Sequence, residues 1–273
     1  MKQILVATDF SNCASNAMEY AVELAKILKL EVCAIHAISP TEGMDNNVYR
    51  AIFIEDYYKN KREALATWAA TFINKDGYRD VAISTLCEVG SVSGVITGYL
   101  DEHAVELLVM GSTGSTGISG LFGSNVSTML WKTRIPALVI PVETRFSTNP
   151  VITLATDFST ELSAEDIVAL NELILAFNSD KLTVLNVLET PEWKTNEAGE
   201  LKLKELIKNT TLEFKYISED SAKEGIMNFI QGNNTDILCL VKQHHNFVYR
   251  LFNRSTVTQV MNKSVKAVLV LHT

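Results

Sequence analysis

The feature that most constrains this chain is an internal duplication. The stretch Ala7-Thr8-Asp9-Phe10-Ser11 returns 148 residues later as Ala155-Thr156-Asp157-Phe158-Ser159, and both copies follow a short apolar run. A later match, Gly94-Val95-Ile96 against Gly225-Ile226-Met227, keeps the order but has an offset of 131. Self-similarity over this length predicts two copies of one domain. The falling offset predicts that the second copy has lost residues, mainly between its second and third strands.

The two copies predict two domains, residues 1–146 and 149–273. Each is large enough to bury its own core. The charge repeats with the sequence, since residues 1–148 and 149–273 each carry 12 basic and 16 acidic side chains. The polar stretch 144–150, which ends in a proline, is typical of a seam between domains.

Apolar runs of strand length alternate with helical periodicity in both copies. The first copy predicts a helix capped by Ser11 or Asn12, and further helices at 49–74, 91–102 and 125–133. Strands are predicted at 2–8, 31–38, 81–87, 106–110 and 137–142, and again near 151–156, 181–188, 211–217, 236–241 and 267–271. The pattern predicts an α/β fold of two tandem Rossmann-like domains, each a five-stranded parallel sheet with helices on both faces. Ligands bind such sheets at the carboxyl ends of the strands.

Composition excludes several classes of protein. The net charge of −8 argues against nucleic acid or an anionic membrane as the main partner. The apolar runs are far shorter than a spanning helix, and the first residues reach Asp9 without the cleavage site of a signal peptide. The irregular spacing of the four cysteines predicts reduced thiols in a cytoplasmic protein. These are Cys13, Cys33, Cys87 and Cys239.

The segment after the fourth predicted strand is the strongest candidate for a binding site. Residues 110–128 hold five of the ten glycines of the first copy, are rich in serine and threonine, and lead into a predicted helix. Glycines let a backbone approach a phosphate closely, and a helix N-terminus offers free N–H donors. The composition alone also fits a flexible surface loop, but the position at a strand end favours phosphate binding. The segment has neither the P-loop pattern nor a GxGxxG fingerprint.

The arrangement resembles the universal stress protein A family over nearly the whole chain, as a tandem pair. Nucleotide-binding members of that family carry G-2x-G-9x-G-(S/T) after the fourth strand. Here Gly111 and Gly114 have the family spacing, whereas eight residues separate Gly114 from Gly123-Ser124. The missing residue either shortens the phosphate cradle or is absorbed by the extra glycines, Gly117 and Gly120.

The resemblance implies a site for an adenine nucleotide, ATP or else AMP or ADP, with Mg²⁺ as a possible companion. The end of the first strand and Ala37 would hold the adenine and its ribose side. The implied residues there are Ala7, Thr8 and Asp9. Met110 and Gly111 would line the ribose. The phosphates would be held by Thr113, Gly114, Gly123, Ser124, Asn125 and Val126.

The second copy departs from this pattern at the corresponding loop. Lys242 and His245 stand opposite Gly111 and Gly114, and Asn253 stands opposite Gly123. Bulky side chains in place of all three glycines predict a degenerate, structural copy. His244 and His245 are not predicted to bind a metal. The side chains of adjacent residues point in different directions, and no Cys, His or Asp stands at the spacing of a further ligand.

No catalytic residues are predicted. The chain has no hydrolase triad pattern, and the glycine-rich loop has neither a basic residue nor a general base for rapid phosphoryl transfer. The sequence therefore favours a stress-response or signalling protein in which ATP is an occupancy signal, with hydrolysis slow or absent. Two alternatives stay open, a nucleotide-free scaffold and a slow ATPase or phosphotransferase.

The last strand of each copy is short and apolar, and an exposed edge of this kind invites pairing. Single-domain members of the family that the chain resembles dimerise through these strands. A short tether favours the same contact within one chain. We therefore expect an intrachain pseudo-dimer in which 137–142 pairs antiparallel with 267–272. The alternative is two independent domains on a linker, and a homodimer of whole chains is a further possibility.

Overall fold

A computed structural model describes residues 2–40, 50–73, 80–113, 124–158, 162–189, 195–242 and 266–272. The strands are β1 (Gln3–Ala7), β2 (Glu31–Ile38), β3 (Ile83–Val89), β4 (Val105–Gly111), β5 (Ala137–Ile140), β6 (Ile152–Ala155), β7 (Lys181–Leu188), β8 (Thr211–Ser218), β9 (Ile237–Lys242) and β10 (Ala267–His272). The helices are α1 (Asn12–Leu28), α2 (Arg50–Ile73), α3 (Val92–Glu102), α4 (Ser124–Lys132), α5 (Val168–Ala176), α6 (Glu197–Leu206) and α7 (Ala222–Gly232).

The strands form one ten-stranded sheet in the order β3-β2-β1-β4-β5-β10-β9-β6-β7-β8. The five strands within each half are parallel to one another. The second half has the same strand order as the first, read in the opposite direction along the sheet. The predicted parallel α/β fold, built twice, is confirmed. The sheet order reverses in each half beside the first strand of that half, between β1 and β4 and between β6 and β9.

The two halves join through β5 and β10, which pair antiparallel as the sequence predicts. Val139 lies opposite Val268, and Leu138 lies opposite Leu269. β5 ends at Ile140 and is therefore shorter than the predicted strand 137–142. The next residue, Pro141, has no N–H group to continue the ladder. The proline carbonyl instead accepts a hydrogen bond from the Asn16 side chain of α1, at 2.8 Å.

The turn after the first strand repeats in detail. The hydroxyl of Thr8 accepts the Phe10 N–H at 3.0 Å, and that of Thr156 accepts the Phe158 N–H at 3.1 Å. Phe10 and Phe158 have φ angles of 64° and 57°, an unusual backbone for a bulky residue. Ser11 then caps α1 by accepting the Ala14 N–H, which confirms the first of the two predicted caps.

The predicted loss of residues in the second copy is also confirmed. Residues 39–82, 44 in number, connect β2 to β3, whereas residues 189–210, 22 in number, connect β7 to β8. Accordingly α2 has 24 residues and α6 has 10.

Apolar side chains cover both faces of the sheet and continue across the joint. One buried cluster unites α1 and α2 of the first half with α5 and α6 of the second. The other unites α3 and α4 with α7. Because each cluster includes residues from β5 and β10, the halves share their core. No helix in the described part of the chain has the length and apolarity needed to cross a membrane.

The seam between the halves is fixed by an aromatic contact. Phe146 lies between Tyr20 of α1, with ring centroids 5.0 Å apart, and Phe177 at the end of α5, at 5.8 Å. Tyr20 is 4% exposed. Burial, followed by the negative charge of Asp236 in the second half, raises the pKa of Tyr20 well above its usual value. The predicted seam is therefore packed between a helix from each half.

Replacing Phe146 with alanine is expected to lower the free energy of unfolding by about 2–3 kcal/mol, because the ring loses two aromatic neighbours and a cavity remains. Urea unfolding followed by circular dichroism measures the change. Val142→Ala is the matched control, since Val142 lies in the same segment and is 45% exposed. Equal effects of the two substitutions would contradict the role assigned to Phe146.

Candidate functional site

A cavity of about 510 Å³ opens at the carboxyl ends of the strands in the first half, where the sheet order reverses between β1 and β4. Ten of the twelve predicted site residues line it. They are Ala7, Thr8, Asp9, Ala37, Met110, Gly111, Thr113, Ser124, Asn125 and Val126. Gly114 and Gly123 lie outside the described residues. Segments that are far apart in the sequence therefore meet around one space, as the rule for doubly wound sheets predicts.

Asp9 comes directly after β1 and has a local structural role. Its Oδ1 atom accepts the Ser11 N–H at 3.1 Å, and Ser11 in turn caps α1. This contact holds the carboxylate at the cavity wall with the first turn of α1 beneath it. The carboxylate is thus both a turn residue and a lining residue of the cavity.

The first turn of α4 forms another wall. Ser124, Asn125 and Val126 all line the cavity, and they are the first three residues of this nine-residue helix. The first N–H groups of a helix have no partner inside it, and the helix dipole places positive potential there. The buried side chain of Val126 packs in the core and fixes the position of this turn.

Gly111 also has a packing role, which its glycine motif does not indicate. A Cβ atom at this position would lie 2.9 Å from both the backbone carbon and the Sγ atom of Cys13 in α1. The absent side chain therefore lets α1 approach the end of β4. The backbone of Gly111 still lines the cavity.

His36 also lines the cavity, although no motif in the sequence indicates a role for it. Its Nδ1 atom donates to the Thr8 carbonyl at 2.8 Å, because a carbonyl oxygen only accepts. The ring packs on Phe10, with centroids 4.5 Å apart, and the buried Nε2 atom has no hydrogen-bond partner among the described residues. Asn186 makes the equivalent bond in the second half, to the Thr156 carbonyl at 2.8 Å. Aligning the two copies of the sequence places His36 opposite Asn186, and this alignment would have indicated their shared position.

Other lining residues come from helices with no motif. Val92, Val95 and Ile96 of α3 make one wall apolar. Lys61 of α2 is the one lysine or arginine among the lining residues that the structure describes. It lies on the face of α2 that carries the buried Leu65, so helical periodicity is the signal that finds it.

The second half is built differently at the matching place. Val187 occupies the position that Ala37 has in the first half, and a Cβ on Gly225 of α7 would lie 2.5 Å from its Cγ1 atom. The valine thus fills the space between strand and helix. Lys242 ends β9 where Gly111 ends β4, and the predicted residues His245 and Asn253 lie outside the described residues. Within the described ranges, no cluster of three or more His, Cys, Asp or Glu side chains is arranged to hold a metal.

Fold and cavity together define a doubly wound α/β protein, built twice, with a ligand-sized cavity at the strand ends of its first half. The sequence pattern described as the universal stress protein family matches residues 1–141, and the chain belongs to this family. The family prediction is confirmed.

Several relatives and solved structures agree with this assignment. Universal stress protein MJ0531 of Methanocaldococcus jannaschii is 28% identical over 142 residues, which cover 51% of this chain and 81% of the relative. Universal stress protein YxiE of Bacillus subtilis is 28% identical over 131 residues, which cover 46% of this chain and 88% of the relative. The crystal structure of a universal stress protein from Archaeoglobus fulgidus covers 99% of this chain and 98% of its own, with a TM-score of 0.71 at 14% identity. That structure shows the tandem fold along the whole chain.

Gly111→Ala is expected to lower the free energy of unfolding by about 1–3 kcal/mol, because the new methyl group collides with the backbone of Cys13. Gly98→Ala is the matched control, since a Cβ there meets nothing within 4 Å. A glycine inside a helix costs roughly 0.5–1 kcal/mol relative to alanine, so the control variant should gain stability. Urea unfolding measures both, and unchanged stability of the Gly111 variant would contradict the packing role.

Proposed function

We propose that this chain binds an adenine nucleotide, ATP in the first place and AMP or ADP as the alternatives, in the cavity of its first half. Mg²⁺ would accompany the phosphates. The protein would act in the cytoplasm as a stress-response or signalling module in which the bound nucleotide is an occupancy signal.

One observation carries the proposal. Residues chosen from the sequence as nucleotide contacts, in the segments around Asp9, Ala37, Met110 and Ser124, line a single cavity of about 510 Å³. Small-molecule sites commonly have volumes of roughly 300–1,000 Å³, so the space suits a nucleotide. The site also lies where ligands bind in sheets of this order.

Each wall suits a different part of the ligand. The apolar side chains of α3, together with Ala37, would hold the adenine ring. The Asp9 carboxylate accepts hydrogen bonds, which suits the ribose hydroxyls. The first turn of α4 would hold phosphate oxygens, since its N–H groups and the helix dipole favour an anion.

The proposal assigns the ligand to one domain. We propose that residues 1–146 form the nucleotide-binding domain and residues 149–273 a second domain whose role is structural. The support is the contrast at one pair of positions, where Ala37 leaves room in the first half and Val187 packs on Gly225 in the second. A homodimer of whole chains stays a prediction.

Two measurements separate this proposal from its alternatives. Mass spectrometry of gently denatured protein detects co-purified nucleotide, and a protein that carries none and binds none in calorimetry would favour the nucleotide-free scaffold. Incubation with labelled ATP detects the slow ATPase or phosphotransferase. We expect bound nucleotide and little or no turnover.

Asp9→Ala is expected to weaken ATP binding by roughly ten- to hundredfold, since a hydrogen bond to a charged group is worth about 1.5–3 kcal/mol. Asp157→Ala, the same change at the repeated position, is expected to leave the affinity unchanged. Titration calorimetry measures both, together with the stoichiometry, which should be one nucleotide per chain. Two nucleotides per chain would contradict the assignment of the second domain.

Ala37→Val is expected to weaken nucleotide binding by roughly tenfold or more while the protein stays folded. The added methyl groups occupy the space left for the adenine, and Val187 demonstrates that the strand tolerates valine at this position. Val187→Ala is the control and should leave the affinity of the first site unchanged. Equal affinity in the Ala37 variant would show that the base binds elsewhere.

A further inference from the structure

We propose that Lys61 makes the cavity selective for the charge of its ligand, so that this side chain favours ATP over adenosine. The inference rests on the proposed function and deepens it. Lys61 belongs to α2, outside the strand ends and the glycine-rich segment from which the other contacts were chosen.

The position of Lys61 is unusual for a lysine. It comes three residues after Tyr58, which packs against the core, and four residues before Leu65, which is fully buried. Ala69 and Phe72 continue this inner face of α2 as buried residues. A lysine on this inner face is uncommon, because charged side chains mostly lie on the solvent-facing side of a helix.

The side chain is partly buried, and its Nζ atom lies 5.4 Å from the centroid of the Tyr57 ring. This is within the range of a cation–π contact, which restricts where the ammonium group rests. The residue also lines the cavity. The charge is therefore held at the cavity wall by the same helix face that packs on the sheet.

The size of the cavity makes this charge effective for any bound ligand. The cavity has a volume of about 510 Å³, so a charge on its wall acts on a bound ligand at short range, over roughly 10 Å or less. Asp9, which also lines the cavity, carries the opposite charge and repels phosphates. Lys61 offsets this repulsion, and it does so more strongly for three phosphates than for one.

In the described part of the second half, the matching helix α6 has 10 residues, against 24 in α2. Trp68 packs beside Phe10, with ring centroids 6.0 Å apart, and Gly199 packs against Phe158 at the equivalent turn. Lys61 lies seven residues before Trp68, whereas the position seven residues before Gly199 lies outside the described residues. The longer helix and the larger cavity, about 510 Å³ against about 190 Å³ at the matching turn of the second half, therefore occur in the same half.

The test compares ligands that share a base and differ in charge. The dissociation constants of adenosine, AMP and ATP are measured by titration calorimetry for the full-length chain and for Lys61→Met, with EDTA present so that no metal ion offsets the phosphates. We expect the variant to lose roughly tenfold in ATP affinity and about threefold in AMP affinity, with adenosine unchanged. The variant should still unfold in one cooperative thermal transition, because methionine suits an apolar helix face.

Two further variants complete the design. Lys59→Met removes a charge from the same helix at an exposed position, where the lysine pairs with Glu63 at 3.9 Å, and should leave all three constants unchanged. Lys61→Arg keeps the charge and should keep the preference for ATP. Equal losses for ATP and adenosine, or no loss for ATP, would overturn this inference alone. A wild-type protein that binds none of the three ligands would overturn the proposed function as well.

Discussion

The structure depends on the antiparallel pairing of β5 with β10. Each of these strands ends its own half, and each is almost wholly buried: all four residues of β5 and the first five of β10. Unpaired, either strand would expose an apolar edge, and such edges associate with other chains. Three residue pairs remove both edges and make the two outermost strands of the halves into the centre of one sheet. The apolar layers on both faces then become continuous, and Phe146 packs where they meet.

The sequence predicted the strands and helices well wherever local signals were complete. β2 and β7 have the predicted bounds, since each is a mostly apolar run that begins at a charged residue, Glu31 or Lys181. The predicted strand bounds were wrong where a single residue ends a strand inside an apolar run. β5 ends before Pro141, although the apolar character continues to Val142, because proline has no N–H for the ladder. β3 lies two residues later than predicted, at Ile83–Val89, because its register against β2 fixes its position and the half-exposed edge strand has a weak pattern of its own.

The candidate site was predictable to the extent that its residues follow strands. Strand ends meet at one edge of a parallel sheet, so Asp9, Ala37 and Met110 were placed together without a structure. Lys61 and the α3 wall were missed, because which turn of a covering helix faces a strand end depends on connection lengths that the sequence does not show. Gly111 illustrates a second limit. Its position was predicted, but its contact with Cys13 joins residues 98 apart in the chain, and only the fold brings them together.

The antiparallel joint also determines where the chain presents its two halves to other molecules. Because the strand direction reverses at β10, the carboxyl ends of the second half lie at the opposite rim of the sheet from those of the first. On the rim that holds the mouth of the first-half cavity, the second half presents the amino ends of its strands, where Asn149 precedes β6, Lys181 begins β7 and Asn234 precedes β9. Each rim of the sheet therefore carries the carboxyl ends of the strands of one half and the amino ends of the strands of the other. Changes in the second copy alter the surface on the rim that holds the first-half cavity, while the walls of that cavity remain intact.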